Sequence, residues 1–182
     1  MIRRSFSHID KESMRQLYTS LVRPHLEYDH AITYPRYEND KKLPEQVQGR
    51  AMKLIPELRE CDYVDRLKAW NLPSLHYRSD RGHMIECYKL THDMYNIPQI
   101  LNLENKYFLG HSFKLKISLA ARETTHHFFT IRDINKWNSL QEDVVLAPSL
   151  NCFKSRLDKH RKGYSFNLEP VPSCRCEKHS PY

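Results

Sequence analysis

The chain reads as a mainly α protein, a helical bundle of five to six helices, with room for a small β-hairpin around residues 113–130 and a disordered C-terminal tail. Three observations predict this. Apolar residues recur at alternating steps of three and four over most of the chain, the spacing of one helix face. Only four glycines stand against ten prolines and eleven tyrosines, which disfavours glycine-rich phosphate loops and tight-turned β architectures and favours helices separated by proline breaks. The one strictly alternating stretch, Phe113-Lys114-Leu115-Lys116-Ile117-Ser118-Leu119, has the pattern of a half-buried strand with two lysines on its open face.

The first helix is predicted from Ile9 to about Arg23. Asp10 is its N-cap, and Ile9 and Met14 are spaced as a hydrophobic staple. Met14, Leu17, Tyr18, Leu21 and Val22 mark the buried face, and Pro24 removes a donor and forces a stop or kink near Arg23, beyond which Leu26, Tyr28, Ala31 and Ile32 are placed to continue the helix. After Pro35 and Asn39-Asp40, the residues Leu43, Val47, Ala51, Leu54, Ile55 and Leu58 predict a second amphipathic helix with Pro44 in its first turn. Lys42, Gln46, Arg50 and Lys53 lie off that stripe, on a wet face or a phosphate-contacting ridge. Tyr63, Val64, Leu67 and Trp70 give a short third helix.

The central stretch runs from Leu72 to Leu90. Pro73 and Ser74 supply a turn and an N-cap, and Tyr77, Arg81, Met84, Tyr88, Thr91 and Tyr95 then share one helix face. Arg78 and Arg81 share a side. Asn96 to Gly110 lacks periodicity and reads as a loop. Phe128, Phe129, Ile131, Ile134, Trp137 and Leu140 return to a helical period, with Arg132 and Lys136 opposite the aromatics. Ser149 caps a last helix that buries Leu150, Phe153 and Leu157, and Gly163 stops it. The organisation expected is a helical region over 1–95, a loop and hairpin over 96–127, a helical region over 128–163 and a disordered tail over 164–182.

With 182 residues, 40% of them hydrophobic, the chain can pack one core of moderate size. The 29 Lys and Arg against 22 Asp and Glu leave a formal charge of +7. That charge suits a polyanionic partner and equally suits an ordinary basic protein kept soluble by it. Five scattered cysteines and a Met1-Ile2-Arg3-Arg4 start with no secretory apolar stretch predict an intracellular chain, nuclear or cytoplasmic, with reduced thiols. No apolar run reaches transmembrane length, so no membrane partner is expected.

No enzyme motif is found. Polymerase and nuclease sites need carboxylates converging on divalent cations, and no Asp-Asp pair occurs. His126-His127 point to different sides of a helix or strand, and with His111 they lack helical ligand spacing. Cys174-Arg-Cys176-Glu-Lys-His179 offers three soft ligands without a fourth, at a Cys-x-Cys spacing tighter than that of zinc fingers. Cys87 falls near an apolar stripe, the setting of an inert buried thiol. Catalytic residues, metal ligands and cofactors are therefore all expected to be none.

Ile2-Arg3-Arg4-Ser5-Phe6, followed by Leu17-Tyr18-Thr19-Ser20-Leu21-Val22-Arg23-Pro24-His25-Leu26-Glu27-Tyr28, closely resembles the segment just after the catalytic palm in reverse transcriptases of jockey-like non-LTR retrotransposons. Val47-Gln48-Gly49-Arg50-Ala51-Met52-Lys53, Leu72-Pro73-Ser74-Leu75 with Tyr77-Arg78 and Arg81-Gly82, Gly110-His111-Ser112, Phe128-Phe129, Trp137-Asn138-Ser139-Leu140 and Phe153-Lys154 follow that family's order. The departures are Gly49 where a second arginine is usual, Tyr34 where tryptophan is usual, and Gln141 where Leu-Pro is usual. The fingers and the palm with its Asp-Asp strand would lie upstream of Met1.

The resemblance implies a thumb-like helical segment and C-terminal region that holds template and primer. As it stands the chain would be no enzyme, but a fragment of an RNA-directed DNA polymerase binding RNA or DNA template-primer through the phosphate backbone, without sequence preference. The residues expected to make those contacts are Arg50, Lys53, Arg78, Arg81, Arg132 and Lys136. The reading from a different class is a domesticated or non-functional helical module acting as a protein-interaction or structural domain.

Overall fold

In the computed structural model the described residues are 10–28, 38–95, 103, 111–116 and 133–166. They fall in two compact units, one of residues up to Asp80 joined by 163–166 and one of Arg81–Lys162. The chain is mainly α, and no strand occurs among the described residues. The alternating stretch, described as far as Lys116, makes one antiparallel bridge, Leu103 to Leu115. The remainder of the expected hairpin, the expected loop apart from Leu103, Phe128-Phe129, and the tail from residue 167 lie outside the described residues.

In the first unit, α1 (Lys11–Leu17) begins at Asp10, whose Oδ2 accepts from the amides of Glu12 and Ser13 at 3.2 and 3.3 Å. That satisfies two donors a helix start leaves open. Pro24 does not end the helix. A wide π turn over Tyr18–Val22, closed by the Arg23 amide on the Tyr18 carbonyl, leads into α2 (Arg23–Glu27) with Pro24 in its first turn. The wider turn accommodates the missing donor and the ring that an unbroken α-helix would clash with.

The next helix, α3 (Glu38–Met52), starts earlier than the pattern predicts and carries Pro44 in its interior. Its packed face also differs from the one expected. Leu43, Val47 and Leu54 are 52%, 36% and 38% exposed, whereas Gln48, Gly49 and Met52 are buried.

Polar anchors explain the rotation. The Tyr18 hydroxyl donates to Gln48 Oε1 at 2.7 Å, and the Tyr63 hydroxyl donates to Glu45. The other Glu45 oxygen accepts the amide of His76 at 2.9 Å. The Tyr63 ring packs over Gly49, where an added Cβ would stand 3.4 Å from it, in ordinary contact.

Ile55 and Leu58, on and beside the 3-10 turn Pro56–Leu58, are buried as expected. They join Met14, Tyr18, Met52, Leu67, Trp70 and Leu72 in one core. α4 (Tyr63–Trp70) supplies Leu67 and Trp70 and ends on Asn71 in the left-handed conformation, φ +50°. Asparagine tolerates that conformation better than most residues do.

The longest helix among the described residues, α5 (Leu75–Thr91), is capped by Ser74 Oγ, which accepts from the Tyr77 amide at 3.2 Å. Tyr77, Met84, Tyr88 and Thr91 are buried as their spacing predicts, while Tyr95 lies beyond the helix end and is 37% exposed. In the second unit, α6 (Ile134–Asn138), α7 (Glu142–Val145) and α8 (Leu150–His160) surround a core centred on Trp137, Phe153 and Leu157, all 0% exposed. Ser149 Oγ accepts from the Cys152 amide at 3.3 Å, and Gly163 past the helix adopts φ +99°.

Side chains of α6 hold the extended chain at 111–115. Asn138 accepts from the Leu115 amide and donates to the Leu115 carbonyl, both at 2.9 Å. The Trp137 indole N–H donates to the Phe113 carbonyl at 2.8 Å. An asparagine side chain thus gives Leu115 the pair of bonds that a neighbouring strand would give.

Gly49 sits inside a helix where only ordinary van der Waals contact awaits a methyl group. Gly49→Ala is expected to stabilise the fold by about 0.5–1 kcal/mol through reduced backbone entropy. Thermal or urea denaturation checks this, and a lower midpoint would mean that the Tyr63 ring sits tighter than the distance suggests.

Candidate nucleic-acid interface

Of the six cations expected to contact phosphate, five are described, and they occupy three different environments. Arg50 and Lys53, one turn apart at the end of α3, are exposed, and neither forms an ion pair among the described residues. Lys42 is exposed on the same helix, and from Lys42 to Leu54 no acidic side chain is exposed, because Glu45 turns inward. This part of the surface keeps its charge available.

Arg78 and Arg81 differ. Arg78 grips Glu27 through two parallel bonds, Nε to Oε1 and Nη2 to Oε2, the second 2.9 Å long. Arg23 stands 3.7 Å from the same carboxylate. Arg81 holds Asp158 in the same manner at 2.6 and 2.9 Å. Such fork-to-fork pairs fix geometry. Here they tie α5 to α2 within the first unit and to α8 within the second.

Lys136 lies 3.9 Å from Asp133, which is fully buried and 3.3 Å from the equally buried His83 Nδ1. Arg132 lies outside the described residues, as do His126, His127, Cys174, Cys176 and His179.

His111 is 3% exposed and its Nε2 meets the Trp137 carbonyl at 3.1 Å, with its ring edge-on to that indole. Facing a carbonyl, Nε2 must be the donor, which leaves Nδ1 as the acceptor of a neutral ring. Burial pushes the imidazole pKa below its ordinary 6.5 and Lys114 adds to this, against the opposing Trp137 carbonyl and Glu142. Cys87 is buried in the same unit's core, as expected of an inert thiol.

Among the described residues, His92 and Arg66, like the buried pair His83 and Asp133, carry chemistry that the sequence pattern does not single out. His92, just past the end of α5, is stacked between Tyr88 at 3.9 Å and Phe113 at 4.5 Å, and Tyr88 stacks in turn on Phe153 at 4.4 Å. Burial lowers the His92 pKa, against the carbonyls of Tyr88 and Val145 and the charge of Asp93. Arg66 is 7% exposed, its Nε and Nη1 lack hydrogen-bond partners, and its guanidinium rests 5.9 Å from the Tyr63 ring centre. Stacked aromatics announce themselves by spacing, but a buried arginine on a short helix gives no such signal.

No protein-family model matches the chain, and no curated protein or solved structure matches it. Among the described residues no helix is long and apolar enough to cross a membrane.

His92 and His111 are both held towards the neutral form in the fold. The unfolded chain therefore takes up protons first, so their contribution is complete above about pH 6.5 and is lost as pH falls below it. The thermal midpoint should drop between pH 7.5 and 5.5, and the drop should flatten in a His92→Gln, His111→Gln variant; an unchanged drop would place its origin in other groups. For Arg66, removal of a buried charge with incomplete hydrogen bonding means that Arg66→Met should raise stability by roughly 1 kcal/mol or more. A decrease in chemical denaturation would show that the guanidinium is better compensated than its geometry indicates.

Proposed function

We propose that the chain binds nucleic acid through its phosphate backbone, as the thumb-like C-terminal part of an RNA-directed DNA polymerase whose palm active site is not in this chain. The observation that carries the reading is the pair Arg50 and Lys53, exposed, free of ion pairs among the described residues and set in a stretch, Lys42 to Leu54, with no exposed acid. A guanidinium and an ammonium so placed can meet successive phosphates without reading bases. The ordered motif series that resembles the post-palm segment of jockey-like reverse transcriptases, together with the charge of +7, supports the same reading. On this view the chain positions template and primer and contributes no chemistry of its own.

Arg78 and Arg81 then act from within. Arg78 clamps Glu27 of α2 within the first unit and Arg81 clamps Asp158 of α8 within the second, and a phosphate would have to displace a carboxylate to reach them. The exposed aliphatics of α3 favour a second reading, a protein-binding module.

Fluorescence anisotropy with a labelled RNA–DNA primer–template duplex over a salt series tests the first reading. Binding should weaken steeply with salt, and Arg50→Gln with Lys53→Gln should reduce the slope of log K against log salt by about 2, one for each phosphate that is no longer neutralised. No binding at low salt, or a slope that the double substitution leaves unchanged, would overturn it.

A further inference from the structure

The periodicity that predicts Leu43, Val47 and Leu54 as core is real, yet the polar anchors of Glu45 and Gln48 turn those residues outward. Leu43 and Val47 lie one turn apart on α3 with Arg50 on the same line, although the apolar period set Arg50 off the stripe, and Leu54 is exposed in the turn just past the helix end. Lys42, Gln46 and Lys53 flank it, all exposed. From Lys42 to Leu54 the surface therefore combines three aliphatic side chains with three cations and no exposed acid.

We infer that this face of α3 is a docking surface for an acidic amphipathic helix of a protein partner, one that lays aliphatic residues along Leu43, Val47 and Leu54 and carboxylates against Lys42, Arg50 and Lys53. The chemistry selects this occupant. Aliphatic side chains contribute nothing to phosphate contacts, and bases stack on aromatic rings, of which the stripe has none. A lipid surface requires an apolar face segregated from the cations. Arg50 in the line of the stripe would be driven into the acyl region, whereas a carboxylate on a partner helix meets it directly.

From Lys42 to Leu54 the helix and its last turn span roughly 18 Å, matching about three turns of a partner helix with anchors at i, i+4 and i+7 or i+11. The inference shares Arg50 and Lys53 with the nucleic-acid reading but not its partner, so either can fail alone.

The probe is a designed helical peptide of about 16 residues with leucines on one face and glutamates flanking them. Its binding to the full chain is measured by anisotropy alongside the primer–template duplex and phosphatidylserine vesicles. Binding of the peptide is expected to weaken roughly tenfold or more with Leu43→Ser and Val47→Ser. It should weaken similarly with Arg50→Glu and Lys53→Glu, and fail for a peptide whose leucines are replaced by glutamine. These positions are exposed, and an unchanged thermal midpoint confirms that the variants fold. A single-site variant at Gln46, Gln46→Leu, should tighten the peptide, giving a gain that misfolding cannot imitate.

Three outcomes overturn the inference. One is no binding of the leucine-bearing peptide. Another is binding that the serine substitutions leave unchanged, which makes the face a general polyanion binder. The third is a larger drop in vesicle or duplex binding than in peptide binding for the serine variant.

Discussion

The arrangement of the first unit depends on one carboxylate turned inward. Glu45 receives the hydroxyl of Tyr63 with one oxygen and the amide of His76, in the first turn of α5, with the other. Negative charge near a helix start is favoured by the open amides there and by the helix dipole. Beside it, burial and the Glu45 charge both push the Tyr63 hydroxyl far above its ordinary pKa, so it remains a donor. One side chain on α3 thereby fixes the ring that packs from α4 and the start of α5. With Gln48 bonded to Tyr18 one turn along, α3 has no freedom to turn its aliphatic side inward.

That constraint shows where sequence reasoning succeeds and where it fails. Capping is legible because it is local: Asp10, Ser74 and Ser149 stand next to the amides they bond. The buried faces of α5 and α8 are legible because long apolar periods with no competing polar pattern leave one way to pack. On α3, two periods compete, the aliphatic one through Leu43 and Val47 and a polar one through Glu45 and Gln48. Apolar counting chooses the first, but a carboxylate with two donors and an amide with a tyrosine partner outweigh two aliphatics left half in water. The partners that decide it lie 18 to 31 positions away, beyond any local window. The π turn before Pro24 belongs to the same class, since a proline signals a disruption without saying whether the helix stops or widens.

The candidate interface is legible in the sequence only as charge. Arg78 and Arg81 share a side of α5, but whether an arginine is available depends on what faces it. Glu27 and Asp158 are 51 and 77 positions distant. By contrast, Arg50 and Lys53 form no ion pair among the described residues, and Glu45, the acid nearest to Arg50 along α3, is occupied inside. The inward carboxylate thus has a second effect. Had Glu45 faced solvent, it would stand within a turn and a half of Arg50 on the helix and offset its field.

The net charge of the chain consequently says less about affinity than the distribution of its carboxylates. Each bidentate pair withdraws one cation from the surface and converts it to rigidity, with orientation fixed by two parallel bonds. A bound phosphate would have to exchange for a carboxylate already at 2.6–2.9 Å, an exchange of one anion for another with little net gain. A free lysine or arginine on a helix face meets no such competitor and gains from releasing condensed counterions. For a surface built to follow a backbone, positions 50 and 53 therefore matter more than 78 and 81, although the latter are held in fixed geometry. Arg78 and Arg81 are fixed by carboxylates already in place, and the cations with the most to offer an incoming polyanion are those the fold leaves unheld.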